Sequence, residues 1–374
     1  MSNNEKHSKI GASSCHRWWN CPGSVALCAD MPPQEPNIYA SEGTLAHSMA
    51  EEWLKKHFDD PEWQDWIGDV KEVNGFEIEV TEEMYDAVKV YVIDYVNEAL
   101  RCSAKPFKIY GTDEKWIHIE KKFHLREIDE DCYGTNDLTI DMPLDRMFRT
   151  ADYKHGAGIA VEVKDNKQLM IYALEFLSDK YRSMSGDLHD LFLLTTQEYD
   201  KVELVIIQPR ADHPDGPIRK HVILIKQLFK FAYLLEERVQ ETKQSNAKLC
   251  AGDWCRWCTA KPVCPELSKE VDLVIQDDFS AKDPLVSIKK LPVDLLEKRL
   301  EKIPLIREVC KAMEDYALRL AEGGTKFKDH KLVARRATRT WKDKVSAGQK
   351  FGGNLGRQAY KTELLSPAQA LGLQ

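Results

Sequence analysis

Apolar residues recur at helical spacing over residues 42–57, 83–102 and 226–246, and each stretch predicts an amphipathic helix. Ser41 stands just before the first of these and reads as its N-cap. Residues 291–320 read as one or two more helices, ended by Gly323-Gly324. A short aromatic helix is expected over 13–20, stopped at Cys21-Pro22. Alternating apolar and polar residues over 116–123 predict a half-buried strand, and the β-branched run over 202–208 a buried one. The rest is organised around residues 134–172. There a strand ends near Asp137–Asp141, a turn follows at Met142-Pro143, and a second strand delivers Asp152-Tyr153-Lys154 to a Gly-rich loop. A helix carrying Gln168 and Tyr172 comes next. Strands mixed with helices in this way predict an α/β fold, a central mixed sheet flanked by helices.

At 374 residues, with 43% hydrophobic and 9% aromatic content, the chain is long and apolar enough for one large domain or two smaller ones. A net charge of −8 excludes a generic polyanion binder, so any nucleic-acid surface must be a local basic patch. One candidate is the segment 326–344, with eight Lys/Arg against two acids and with Phe327 and Trp341 interleaved. The longest apolar runs, residues 191–194 and 222–225, are far too short to span a bilayer, and no signal-peptide pattern opens the chain. The expectation is a soluble, cytoplasmic protein without membrane partners, whose ten cysteines point to a metal site sooner than to disulfides.

Two constellations carry chemistry. The first is Asp137 with Asp152 and Lys154. Fourteen residues separate the two acids, room for a hairpin that sets them side by side, and Lys154 projects to the same side of its strand as Asp152. Two carboxylates at a strand edge suit Mg²⁺ or Mn²⁺, and a lysine beside them suits metal-assisted phosphodiester hydrolysis. A competing triplet, Glu162-Val163-Lys164, has the same acid-x-lysine form. The following helix must begin near Asp165 or Asn166, which leaves Lys164 in the turn, so Asp152/Lys154 is preferred. Gln168 and Tyr172 share a helix face and can point at this site. His47 is an acceptable additional metal ligand. The second constellation is Cys255-x2-Cys258-x5-Cys264, with Cys250 five residues before it. Such spacing wraps thiolates around one centre, either a Cys₄ zinc or an iron–sulfur cluster.

The order Gly43-x3-His47, Gly134-x2-Asp137, Asp152-x-Lys154, Gln168-x3-Tyr172 resembles the RecB-like branch of the PD-(D/E)XK nucleases. The stretch from His16 to Ser24, HRWWNCPGS, with Asp165-Asn166-Lys167-Gln168 and Gln208-Pro209-Arg210, is similar to a phage and prophage family of that branch. This resemblance implies a restriction-endonuclease-like core and a Mg²⁺- or Mn²⁺-dependent DNA nuclease, with exonuclease the expected mode. The alternatives are a structure-specific endonuclease or a non-catalytic DNA-binding scaffold that keeps the fold. Asp137, Asp152 and His47 would hold the metal, Lys154 would support the nucleophile, and Gln168 and Tyr172 would position the strand. DNA is the implied partner, with phage recombination or replication proteins as further ones. Iron–sulfur relatives (AddB-like helicase-nucleases and CRISPR-associated exonucleases) place one cysteine before the core and three after it. By that resemblance Cys21, Cys255, Cys258 and Cys264 would hold a 4Fe–4S cluster, with structural zinc and Cys250 as the alternatives. The implied division is a nuclease domain over 1–270, a linker over 271–290 and a helical, basic region over 291–374. No G-x4-G-K-[ST] loop accompanies it, so unwinding by this chain alone is not expected.

Overall fold

In a computed structural model, residues 8–32, 36–56, 66–101, 116–274 and 293–333 are described. Most of the expected linker, and Arg335, Arg336, Arg339, Trp341, Lys342 and Lys344 of the basic segment, lie outside the described residues.

The chain begins with short helices α1 (Cys15–Asn20) and α2 (Ser24–Ala29), followed by α3 (Ile38–Lys56). The cap of α3 is not Ser41. Asn37 Oδ1 accepts from Ala40 N at 3.0 Å, and the helix starts at Ile38. Asn caps as well as Ser does, and the earlier residue takes the role. Ser41 is instead fully buried, its Oγ accepting from Asn74 Nδ2 at 3.3 Å. Asn74 belongs to a hairpin, β1 (Val70–Val73) with β2 (Phe76–Glu79), turned by Asn74-Gly75 at φ 51° and 81°. Positive φ at both positions is what a tight primed turn demands. Next, α4 (Glu82–Lys89) passes through a π-helical stretch, Val90–Asn97, into α5 (Glu98–Arg101).

The central sheet contains β3 (Ile117–His124), β4 (Tyr133–Met142), β5 (Met147–Tyr153), β6 (Lys201–Ile207) and β7 (Ile218–Leu224), hydrogen-bonded in that order. Every pairing is antiparallel except β5 with β6. A parallel pair needs a long crossover, supplied here by α6 (Lys167–Lys180) and α7 (Leu188–Glu198). Asn166 caps α6, its side chain accepting from Leu169 N, and Asp187 caps α7 in the same way through Asp190 N. After β7 come α8 (Ile225–Thr242), α9 (Pro265–Val274) and α10 (Val293–Glu322), the last with Pro304 inside it.

Helices cover both sheet faces, as expected of an α/β fold. On one face Leu169, Leu174 and Phe176 of α6 pack with Phe148, Leu204, Ile206 and α8. On the other, Leu54, Tyr91 and Tyr95 pack with Leu138, Ile140, Ala151 and Val205. Because α6 is buried nearly all round, its sequence is apolar beyond a single stripe. The chain divides into two units, residues 1–313 and 314–374. In the second, the described part is the end of α10 followed by exposed residues without regular structure, among them Lys326, Lys328 and Lys331. No helix among the described residues is long and apolar enough to cross a membrane.

Candidate metal centre and cysteine lobe

The β4–β5 register pairs Leu138 with Ala151, which sets Asp137 and Asp152 opposite one another one step further on. Both are buried. Asp137 Oδ2 accepts from Tyr153 N at 2.7 Å, which locks its carboxylate to the neighbouring strand. Lys154 Nζ lies 2.8 Å from Asp152 Oδ2 and donates to Gln168 Oε1 at 3.3 Å. Gln168 Nε2 in turn donates to Asp152 Oδ1 at 3.0 Å and to the Tyr172 hydroxyl at 3.2 Å. Gly134 is required for this approach, since a Cβ there would stand 2.9 Å from the Tyr172 ring and 3.2 Å from a Glu175 oxygen. Gly43 faces open space, and nothing in the structure explains a glycine there. The competing Lys164 sits exposed in the turn before α6, and Glu162 pairs with His213.

Two more side chains reach the carboxylates from elsewhere. From α3, His47 Nδ1 lies 3.7 Å from Asp137 Oδ1 and 3.1 Å from Glu120 Oε1. Glu120 is the residue that sequence reasoning misses. It lies mid-strand in β3 at φ 46°, a left-handed conformation that breaks the two-residue alternation. Ile117, Ile119 and Phe123 have the same parity, so alternation alone puts them on one face. Ile117 and Ile119 pack with the α3 layer, whereas Phe123 packs with α6. Lys121, a cation at an apolar-parity position, is the only sequence signal of that switch. Among the described residues, His47, Glu120 and Asp137 are the one group of three or more His, Cys, Asp or Glu ligand atoms within 4.8 Å of each other.

The electrostatics are those of crowded carboxylates. Burial, with Asp152 and Glu120 nearby, pushes Asp137 up to about 7 against the opposing pull of His47. Burial disfavours charge on His47, but Asp137 and Glu120 outweigh it and raise its pKa to about 9. Burial likewise works against the Lys154 ammonium, and Asp152 and Asp137 overcome it, holding its pKa above the ordinary lysine value. Oxygen donors with one imidazole form a set that hard divalent cations accept, and the acid crowding is what such a cation relieves.

A second ring of contacts fixes the loop after β5. Gln208 is buried and makes four hydrogen bonds. Its Nε2 donates to the Gly156 and Ile159 carbonyls at 3.0 and 2.8 Å. Its Oε1 accepts from Val161 N and Arg219 at 2.9 and 2.8 Å. Arg210 bonds Glu42 and Glu83, and donates to His155 Nε2 at 2.8 Å, so His155 faces the Tyr153 hydroxyl with its Nδ1, 2.9 Å away. Burial and Arg210 lower His155 to about 4, which keeps it neutral.

The cysteines meet at the C-terminal end of α1, which Cys21 caps. Cys21, Cys250, Cys255, Cys258 and Cys264 line one cavity of about 10 Å³, room for a single water. The turn Cys21-Pro22-Gly23 reaches it because Gly23 lies against the 247–248 backbone, its N donating to Lys248 O at 2.9 Å. A Cβ at Gly23 would come within 2.5 Å of the Ala247 carbonyl oxygen. Cys250 N donates to Cys21 Sγ at 3.2 Å. The structure adds Cys28, whose Sγ lies 3.6 Å from that of Cys258. The hydrogen bond with Cys258 lowers the Cys28 thiol to about 5, against the effect of burial. Val309 of α10 closes this lobe together with Leu267. Cys15 and Cys132 are buried in the main core, where burial pushes Cys15 up to about 12.

A family model described as a protein of unknown function, DUF2800, matches residues 7–373. The chain belongs to that family. The DUF2800 match takes in His47, the carboxylates of β4 and β5 and the cysteine lobe, so all of them fall within one family pattern.

Proposed function

We propose that this DUF2800 chain is a divalent-metal-dependent DNA nuclease with a PD-(D/E)XK core of the RecB-like type. The observation that carries this reading is a convergence. His47 from α3, Asp137 from β4, Asp152 and Lys154 from β5, and Gln168 and Tyr172 from α6 meet around one carboxylate cluster. The donor set of His47, Glu120 and Asp137 fits Mg²⁺ or Mn²⁺, and Asp152, whose oxygens lie on Lys154 and Gln168 outside that group, would complete it from the neighbouring strand. A cation held there would supply Lewis-acid charge to the scissile phosphate. Lys154 stays protonated beside Asp152, so its role is to place fixed positive charge where negative charge develops and to orient water, not to remove a proton. Gln168 holds Asp152 and Lys154 in register, and Tyr172 holds Gln168.

As part of the same proposal, Cys255, Cys258, Cys264 and Cys21 would hold a 4Fe–4S cluster, for which the lobe has to open beyond its present one-water cavity. In a tetrahedral zinc site the sulfurs stand about 3.8 Å apart, given Zn–S bonds of about 2.3 Å. Among the described residues no three cysteine sulfurs lie within 4.8 Å of each other, a spread that favours a larger cluster. The bond from Cys250 N to Cys21 Sγ is of the kind that tunes cluster thiolates, and it makes Cys250 a neighbour of the fourth ligand.

Linear single- and double-stranded DNA and circular DNA, incubated with the protein and Mn²⁺ or Mg²⁺, test the reading and separate exonuclease from endonuclease. Lys154→Ala should lower cleavage by roughly a hundredfold or more with the fold intact. Cleavage by that variant at the wild-type rate, or no metal-dependent cleavage by the wild type, would overturn the assignment.

A further inference from the structure

A groove of about 670 Å³ joins the Lys154–Gln168 corner of the metal centre to the cysteine lobe. Its far wall is Trp257, which lies between two of the cysteines and is 58% exposed. His16 meets that ring edge-on at 6.2 Å, and the Arg256 guanidinium lies 5.4 Å from its centroid. A large exposed indole with a cation beside it is a surface on which a base stacks. Between Trp257 and the metal centre the lining carries Arg17, Lys164 and Lys167 besides Lys154, against Glu162 and Asp165. The groove is therefore positive in a chain whose net charge is −8, as a phosphodiester backbone requires.

Building on the nuclease reading, we propose that Trp257 is a base-stacking shelf. It holds an unpaired nucleotide of the substrate while a neighbouring phosphate lies at Lys154. Inside a duplex both faces of a base are covered by its neighbours, so the occupant of the groove is taken to be a single-stranded segment, whose bases are free to stack on the indole. The cysteine lobe then forms a wall of the substrate site as well as a clasp on the fold.

Fluorescence anisotropy of a labelled single-stranded oligodeoxythymidine with the full chain, with Ca²⁺ as the only divalent cation, tests this. Oligouridine and a duplex of equal length are parallel arms. Trp257→Ala should weaken single-strand binding by roughly tenfold, Trp257→Phe should keep most of it, and duplex binding should be unmoved. A preference for oligodeoxythymidine over oligouridine would make DNA the occupant of the groove, and the reverse preference would overturn that part. Wild-type single-strand affinity in Trp257→Ala, or an equal loss for duplex and single strand, would overturn the shelf. A chain that binds through Trp257 yet cleaves nothing in Mn²⁺ would overturn the nuclease reading alone. A cleaving chain indifferent to Trp257 would overturn only the shelf.

Discussion

Glu120 and Asp137 both crowd His47, and that crowding has a measurable consequence. A ligand must shed its proton before it takes a metal. Asp137 is raised to about 7 and His47 to about 9, so both hold protons at acid pH in the free protein. Mn²⁺ affinity, read by calorimetry, should therefore rise by nearly a hundredfold per pH unit near pH 6, where both protons are displaced, easing to about tenfold per unit near pH 8, where only His47 still holds one. A flat profile would mean that these groups do not ligate. Glu175 makes a different point. It is fully buried in α6, and neither carboxylate oxygen has a hydrogen-bond partner among the described residues. Burial raises its pKa well above the ordinary carboxylate value, so the folded chain binds that proton more tightly than the unfolded chain does. The resulting stability is full below the unfolded value of about 4.3 and is lost as pH climbs towards the folded one. Glu175→Gln carries no such proton. Urea titrations at about pH 5 and about pH 8 should show the variant gaining on the wild type at the higher pH. A pH-independent difference would contradict this.

At the scale of elements, the β4–β5 hairpin and α6 are legible in the sequence because their signals are local. An apolar strand, a proline turn, a second strand and a capped helix each have their own pattern. The β1–β2 hairpin announces itself only through Asn74-Gly75, since its strands are four residues each and half-exposed. Where two elements touch, a glycine records it. Gly134→Ala would force its Cβ against the Tyr172 ring, a buried group that cannot swing away. Overpacking of this kind costs about 1–3 kcal/mol. It should also lower cleavage, because Tyr172 holds Gln168. Thermal melts and single-turnover assays on the same preparation check both, and an unchanged variant would show that β4 and α6 can separate freely.

At the scale of the molecule, residues on either side of the main sheet close the lobe. Gly23 against residues 247–248 ties the two arms, and Trp19 stacks on Phe231 of α8 at 5.4 Å. With the proposed cluster in place, the wild type should be brown. Cys258→Ser should bleach it and destabilise the fold by about 3 kcal/mol or more. Visible absorbance, iron and sulfide analysis, and denaturation curves read this together. A colourless wild type containing zinc would overturn the 4Fe–4S assignment.

The sequence by itself determined what is local or carried by an ordered motif: the α/β alternation, the hairpin and helix over 134–172, the acid-x-lysine pair and the cysteine spacing. These follow from periodicity and side-chain chemistry that neighbours along the chain suffice to set. Only the tertiary structure decided which distant groups meet. Glu120 joins the carboxylates because one left-handed residue turns β3 over, a change that alternation cannot register. Cys28 comes beside Cys258 because the clasp folds residues 21–28 onto the cysteine segment. Gln208 bonds a loop some fifty positions away. Such contacts are set by the packing of whole layers, a free energy spread over many side chains and visible in no single stretch.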